Sequence, residues 1–238
     1  MKSNHSILGD LTADQFLAEY WQKKPLLIRN AIPNFEPPID GDDLAGLSLE
    51  AEVESRLVIG DDWALEHGPF EESRFASLPE QNWSLLVQGV DLWVPEVADL
   101  LSSFDFLPSW RVDDIMVSYA EDGGNVGPHF DYYDVFLIQG EGQRHWQIGQ
   151  HCSEADLHTD STALKILKNL EVSDEWTLNP GDMLYLPPKI AHHGVAIGQC
   201  TTFSVGFRAP AATEMLDDLA TELLSRDITP NHLQDPPL

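Results

Sequence analysis

His129-Phe130-Asp131, joined far along the chain by His192, is the residue set with the most chemistry in it. Residues two apart on a strand project from one face, so His129 and Asp131 would point to one side and Phe130 to the other. Two imidazoles and one carboxylate on one face of an ion leave the remaining positions open. Non-haem Fe(II) uses this arrangement to activate dioxygen. Thiolates would favour other metals, and neither Cys152 nor Cys200 lies in a C-x-x-C pattern. A purely structural ion is normally closed off by protein ligands, so an open triad implies catalysis. His193 competes with His192 for the third place. Adjacent strand residues face opposite ways, so only one of the two points inward, and spacing alone leaves the choice open.

Arg144 is the next candidate. It shares a face with Trp146 and Ile148, two residues that read as buried, and a buried guanidinium needs an anion. Its planar fork suits the far carboxylate of a dicarboxylate co-substrate, so 2-oxoglutarate chelated to the iron and anchored by Arg144 is the reading. Ser118 and Tyr119 lie on a strand expected to line the same cavity, where a hydroxyl would help to hold the co-substrate. Asp114 and Met116 share the parity of Ser118, Tyr133 shares that of Asp131, and Ser204 falls on the last strand. Together they offer a carboxylate, an aromatic face and a hydroxyl, a set suited to gripping a cationic side chain.

Many short strands separated by turns must position these groups. Residues 110–208 read as a jelly roll, a double-stranded β-helix closed around the metal. The Gly-rich loop Glu121–Pro128 delivers the chain to His129 and lacks the residues of a phosphate-binding loop. Val135–Gln139 and Arg144–Ile148, separated by Gly140-Glu141-Gly142, read as a hairpin. Pro187-Pro188 ends a strand at Met183–Leu186, His192 and His193 precede a strand through Val195–Ile197, and Thr201–Arg208 forms another. Upstream, Thr12 and Gln15 form a capping box for a helix whose apolar face is Phe16, Leu17, Tyr20 and Trp21. Pro25–Arg29 reads as a first strand and Gly41–Leu47 as a short helix. One or two strands and then a helix near Val94–Phe104 are expected between Ser55 and Asp105. Glu214–Ser225 has helical period, and Pro230–Pro237 reads as unstructured.

Composition narrows the partners. Forty acidic residues against thirteen basic give a net charge of −27 in 238 residues. Phosphate binding needs a cationic surface, so direct nucleic-acid binding is not expected, whereas a basic partner would be steered in. No run approaches the length of a membrane span, about eighteen apolar residues. The first ten residues have no apolar core of a signal peptide, and the cytoplasm is the expected compartment.

The stretches Gly127–Phe136, Gln139–Trp146, Gly181–Pro188 and Ser204–Pro210, with Lys24–Arg29, His67–Phe70 and Asn82–Gln88 upstream, resemble the cupin-type, JmjC-related ribosomal oxygenases and especially their bacterial arginine-hydroxylating branch. The resemblance spans nearly the whole chain. It implies a catalytic domain over residues 1–210, with helices and strands of residues 10–109 ahead of the barrel. It implies Fe(II) on His129, Asp131 and His192, favouring His192 over His193, and 2-oxoglutarate paired to Arg144. It further implies hydroxylation of the β-carbon of an arginine in a basic large-subunit ribosomal protein. Residues 211–238 correspond to the start of a helical dimerisation region, which implies a homodimer for full-length members. The same iron chemistry on a histidyl residue or an N-methyl group, and a non-catalytic acidic cupin that binds a ribosomal protein, are the competing readings.

Overall fold

The structure is a computed structural model that describes residues 6–156 and 164–226. Among these residues the α-helices are α1 (Ala13–Glu19), α2 (Gly41–Leu47), α3 (Glu72–Phe75), α4 (Pro95–Ala98) and α5 (Ala212–Ser225). The strands are β1 (Leu26–Ile28), β2 (Ser55–Ile59), β3 (Ala64–His67), β4 (Trp83–Val87), β5 (Val112–Ala120), β6 (Asp134–Gln139), β7 (Gln143–His151), β8 (Asp174–Leu178), β9 (Met183–Leu186), β10 (Ile190–Ile197) and β11 (Cys200–Phe207). They form an eight-stranded sheet, ordered β1-β9-β6-β11-β5-β4-β2-β3, and a three-stranded sheet, β10-β7-β8. Every pairing is antiparallel. This is the mainly β, two-sheet architecture expected from the spacing of the strands.

Alternation along the strands explains the layering. On β6 and β9, Val135, Leu137, Leu184 and Leu186 meet Trp146, Ile148 and Leu178 of the small sheet, forming an apolar layer between the sheets. The intervening residues Phe136, Ile138, Met183 and Tyr185 face the other way, against Phe16, Leu44, Val97 and Phe104 of the N-terminal segments. The large sheet is therefore covered on both faces, and its central strands read as continuous apolar runs. Helix α1 is fastened by the expected capping box: the Thr12 hydroxyl accepts from the Gln15 amide at 3.2 Å, and Gln15 Oε1 accepts from the Thr12 amide at 2.9 Å. Its Phe16 ring is fully buried, edge-on to Tyr185 at 4.9 Å between centroids. Burial of such a side chain stabilises by roughly 1.5–3 kcal/mol.

Three expectations are corrected. The β6–β7 connection is not a hairpin. Strand β6 pairs with β9 and β11 in the large sheet, whereas β7 pairs with β8 and β10 in the small one. The amides of Gln139 and Gly140 already donate to Asp182 and Thr201, and the chain then crosses between sheets through Gly142 at φ +62°. His192 and His193 lie inside β10 rather than before it, because Ile190 starts the pairing with His151. Between Ser55 and Asp105 there are three strands, and the expected helix near Val94–Phe104 is split into α4 and a 3-10 turn over Asp99–Phe104.

The described residues from Ala209 onward form a separate unit. Within it Met215, Leu216, Leu219 and Leu223 of α5 are all exposed. The Pro230–Pro237 stretch lies outside the described residues. Among the described residues no helix is long and apolar enough to cross a membrane.

Candidate metal centre and co-substrate cavity

His129 does not sit on a regular strand. It is held by an isolated antiparallel bridge to His192, in which the His129 amide donates to the His192 carbonyl at 3.0 Å and the His192 amide returns the bond at 2.8 Å. Two ligands are thus fixed by one backbone contact, with their rings 4.2 Å apart between centroids. Asp131 follows, its carbonyl accepting from the Lys189 amide at 2.6 Å, and its Oδ2 lies 3.6 Å from His192 Nε2. One ligand atom from each of the three residues falls within 4.8 Å of the others.

The proton positions follow from the backbone. His129 Nδ1 lies 3.0 Å from the Gly127 carbonyl and His192 Nδ1 lies 2.9 Å from the Ile190 carbonyl. A carbonyl can only accept, so each Nδ1 carries the hydrogen and each Nε2 is left with its lone pair. That outer contact is the usual way a metal-binding imidazole is oriented. Burial, reinforced by neighbouring His129, pushes the His192 imidazolium down to about 4, so the ring is neutral near pH 7, as a ligand must be.

His193 takes the opposite face of β10. Its Nε2 lies 3.2 Å from Asn125 Oδ1, which also accepts from Trp63 Nε1 at 2.7 Å and from the Gly127 amide at 2.9 Å. Asn125 therefore fixes Gly127, whose carbonyl orients His129. Gly127 has φ +78°, and a Cβ there would run into Ile166 and Trp63, so glycine is required.

The triad opens into a cavity of about 350 Å³ between the sheets. Arg144 lines it and is only 4% exposed. Among the described residues the one hydrogen bond of its guanidinium is a long 3.5 Å approach of Nη1 to the Gly194 carbonyl, and its Nε and Nη2 are buried without a partner. Trp146 lies against the guanidinium, 5.8 Å from Cζ to ring centre. A buried charge with two idle donors is costly unless an anion completes it. The triad and this guanidinium fit, respectively, a divalent metal and a dicarboxylate that reaches from it.

Met116, Ser118, Tyr133 and Ser204 line the same cavity, as the sequence led one to expect. Burial, then the nearby Asp131, Asp114 and Asp113 carboxylates, push the Tyr133 phenol well up, so it stays protonated. Asp114 is not on the cavity wall. Its Oδ2 accepts from Gln88 Nε2 at 2.6 Å and from the Gly89 amide at 2.8 Å. Tyr119 is also elsewhere: it packs on Trp83 at 5.5 Å, and its hydroxyl donates to Glu121 at 2.6 Å. The residues not foreseen are Arg56, Ser84 and Thr202, which line the cavity and carry buried side-chain atoms without partners. Arg56 stands just ahead of the apolar run Leu57-Val58-Ile59, which by itself does not mark it as inward.

A two-sheet β fold with a two-histidine, one-carboxylate cavity defines a class, and residues 99–215 match the JmjC domain. That stretch, which holds His129, Asp131, Arg144 and His192, is a JmjC domain. It is 44% identical over 229 residues to the ribosomal protein uL16 3-hydroxylase of Escherichia coli, covering 93% of this chain and 59% of that protein. It is 42% identical to a probable ribosomal oxygenase of Haemophilus influenzae, covering 91% of this chain and 54% of the other. The structure of YcfD, a ribosomal oxygenase from Escherichia coli in complex with cobalt and 2-oxoglutarate, superposes with a TM-score of 0.85 at 42% identity. That match covers 96% of this chain and 60% of the solved one. The chain thus spans somewhat over half the length of these relatives.

Proposed function

We propose that this chain is an Fe(II)- and 2-oxoglutarate-dependent oxygenase that hydroxylates the β-carbon of an arginine in a basic large-subunit ribosomal protein, in the cytoplasm. The observation that carries the reading is the unpaired, buried Arg144 guanidinium in the same cavity as His129, Asp131 and His192. His129, Asp131 and His192 would hold the iron through two Nε2 atoms and a carboxylate oxygen. When bound, iron and 2-oxoglutarate together supply dioxygen activation, with succinate and CO2 as by-products.

The chain's own residues bind, orient and exclude. Arg144 Nε and Nη2 form a parallel pair of donors for the distal carboxylate of the co-substrate, and Trp146 and Leu137 keep that end dry. Tyr133 presents an aromatic face and a protonated hydroxyl, in the field of Asp131, Asp114 and Asp113, at the end where a guanidinium would be welcome. Met116 and Ser204 shape the wall beside it. Positioning the target carbon is the protein's main contribution to rate. The relatives support this reading through their described action on ribosomal protein, and the negative surface suits a basic substrate. Dimerisation through the region that begins at residue 211 belongs to the same proposal.

The test is to incubate the protein with Fe(II), 2-oxoglutarate, air and one of three basic peptides, carrying arginine, histidine or N-methyl-lysine as the only candidate target. Succinate release stimulated by the arginine peptide is expected. Stimulation only by one of the other two would keep the oxygenase and replace the target. No succinate with any peptide would favour a non-catalytic cupin that binds ribosomal protein.

A further inference from the structure

A second guanidinium faces the cavity. Arg56 is the second residue of β2, and the register carries a single row across the large sheet: Arg56 opposite Leu86, Leu86 opposite Ser118, and Ser118 opposite Thr202. All four line the cavity. Arg56 Nη2 donates to Gln88 Oε1 at 2.9 Å, Gln88 Nε2 donates to Asp114 Oδ2 at 2.6 Å, and that oxygen also takes the Gly89 amide. The Gln88 amide has a partner at both ends, so its orientation is set and the guanidinium plane is set with it. Arg56 Nε is buried and has no partner.

The two cavity arginines differ in what they leave unpaired. Arg144 offers Nε and Nη2 together, the edge that matches a carboxylate in a bidentate pair. On the same edge of Arg56, Nη2 already donates to Gln88, and Nε–H is the buried donor left without an acceptor. Such a donor suits one oxygen, and a neutral carbonyl can supply it.

We propose that Arg56 is a specificity-determining residue that donates its Nε–H to a main-chain carbonyl oxygen of the bound peptide beside the target residue, with Gln88 and Asp114 as the positioning residues behind it. The proposal rests on the peptide-oxygenase reading given above. It assigns to Asp114 the task of orienting Gln88, consistent with its absence from the cavity wall.

The test measures binding rather than turnover. Calorimetry on Mn(II)-loaded protein would give affinities for 2-oxoglutarate, and then for a basic peptide with one arginine in the presence of 2-oxoglutarate. Arg56→Met is expected to weaken the peptide roughly 10- to 100-fold, the loss for one hydrogen bond from a charged donor, with 2-oxoglutarate affinity within about twofold of wild type. Gln88→Leu keeps the arginine but frees it, and a smaller loss of peptide affinity is expected. Circular dichroism melting shows that each variant is folded. Peptide affinity unchanged in both variants would overturn the assignment and leave the peptide reading standing. A loss of 2-oxoglutarate affinity in Arg56→Met would overturn it by placing Arg56 with the co-substrate. Wild-type protein that binds 2-oxoglutarate but no peptide would overturn both readings.

Discussion

Arg144 is the residue whose surroundings make least sense without a ligand. Among the described residues no carboxylate pairs with it, yet it is 4% exposed and its Nε and Nη2 have no acceptor. Replacement of this fork by an uncharged group is expected to weaken 2-oxoglutarate by about two orders of magnitude, since hydrogen bonds to charged groups contribute roughly 1.5–3 kcal/mol each. Arg144→Gln and Arg144→Lys, titrated with 2-oxoglutarate as Mn(II) complexes, would check this. The lysine variant should stay well below wild type because one ammonium cannot reproduce a planar pair of donors. Affinity equal to wild type in both would mean that the co-substrate binds elsewhere. Arg144 was legible from its neighbours, because Trp146 and Ile148 mark its face as inward. Arg56 was not, because its inward position depends on the pairing of β2 with β4 and of β4 with β5, which periodicity along one strand cannot supply. The same holds for Ser84 and Thr202.

At the scale of elements, backbone contacts between segments far apart in sequence set the site. The H-x-D spacing pointed to His129 and Asp131 as candidate ligands, but the local reason offered by strand alternation was incomplete. His129 is placed by its bridge to His192, and the bridge exists because β10 runs past the end of the Gly-rich loop. The assumed hairpin failed for a related reason: a glycine turn marks a change of direction and does not say which sheet the next strand joins. At the Gly181-Asp182 turn the structure shows what holds the chain. Burial would raise the Asp182 carboxyl, but donation from the Asn179 amide at 3.0 Å, the Asn30 amide at 2.8 Å and Arg29 at 2.6 Å outweighs it and holds the group below its ordinary value. These bonds tie the segment after β1 to the turn that leads into β9. Asp182→Ala is therefore expected to cost about 2 kcal/mol of stability at pH 7. A depressed folded pKa contributes stability that is present above the unfolded value of 3.8 and is lost as pH falls through the folded one. The gap between wild type and variant, followed by urea melts, should narrow below about pH 4. A gap that widens on acidification would contradict the assigned hydrogen bonds.

For the molecule as a whole, charge is the dominant property. A net charge of −27 raises the local concentration of a basic partner and speeds its encounter, and salt screens that attraction over about 10 Å at 0.1 M. The KM for a basic ribosomal peptide should therefore rise with ionic strength, while the KM for 2-oxoglutarate, set by one buried arginine, should move little. Equal salt dependence of both would remove the surface from substrate capture. The mainly β architecture, the H-x-D pair and the anionic character were readable because each follows from local pattern or composition, whereas spacing left His192 and His193 open. The partition of strands between sheets, and the row from Arg56 through Leu86 and Ser118 to Thr202, needed the folded register.

The most direct measurement is mass spectrometry, with fragmentation, of an arginine-containing ribosomal peptide incubated with this protein, Fe(II), 2-oxoglutarate and air, beside a His129→Ala control. The expected result is the gain of one oxygen atom on the arginine, at its β-carbon, absent in the control. An unmodified arginine in wild type, with 2-oxoglutarate still consumed, would contradict the assignment of the target. The same product in the control would contradict the metal centre.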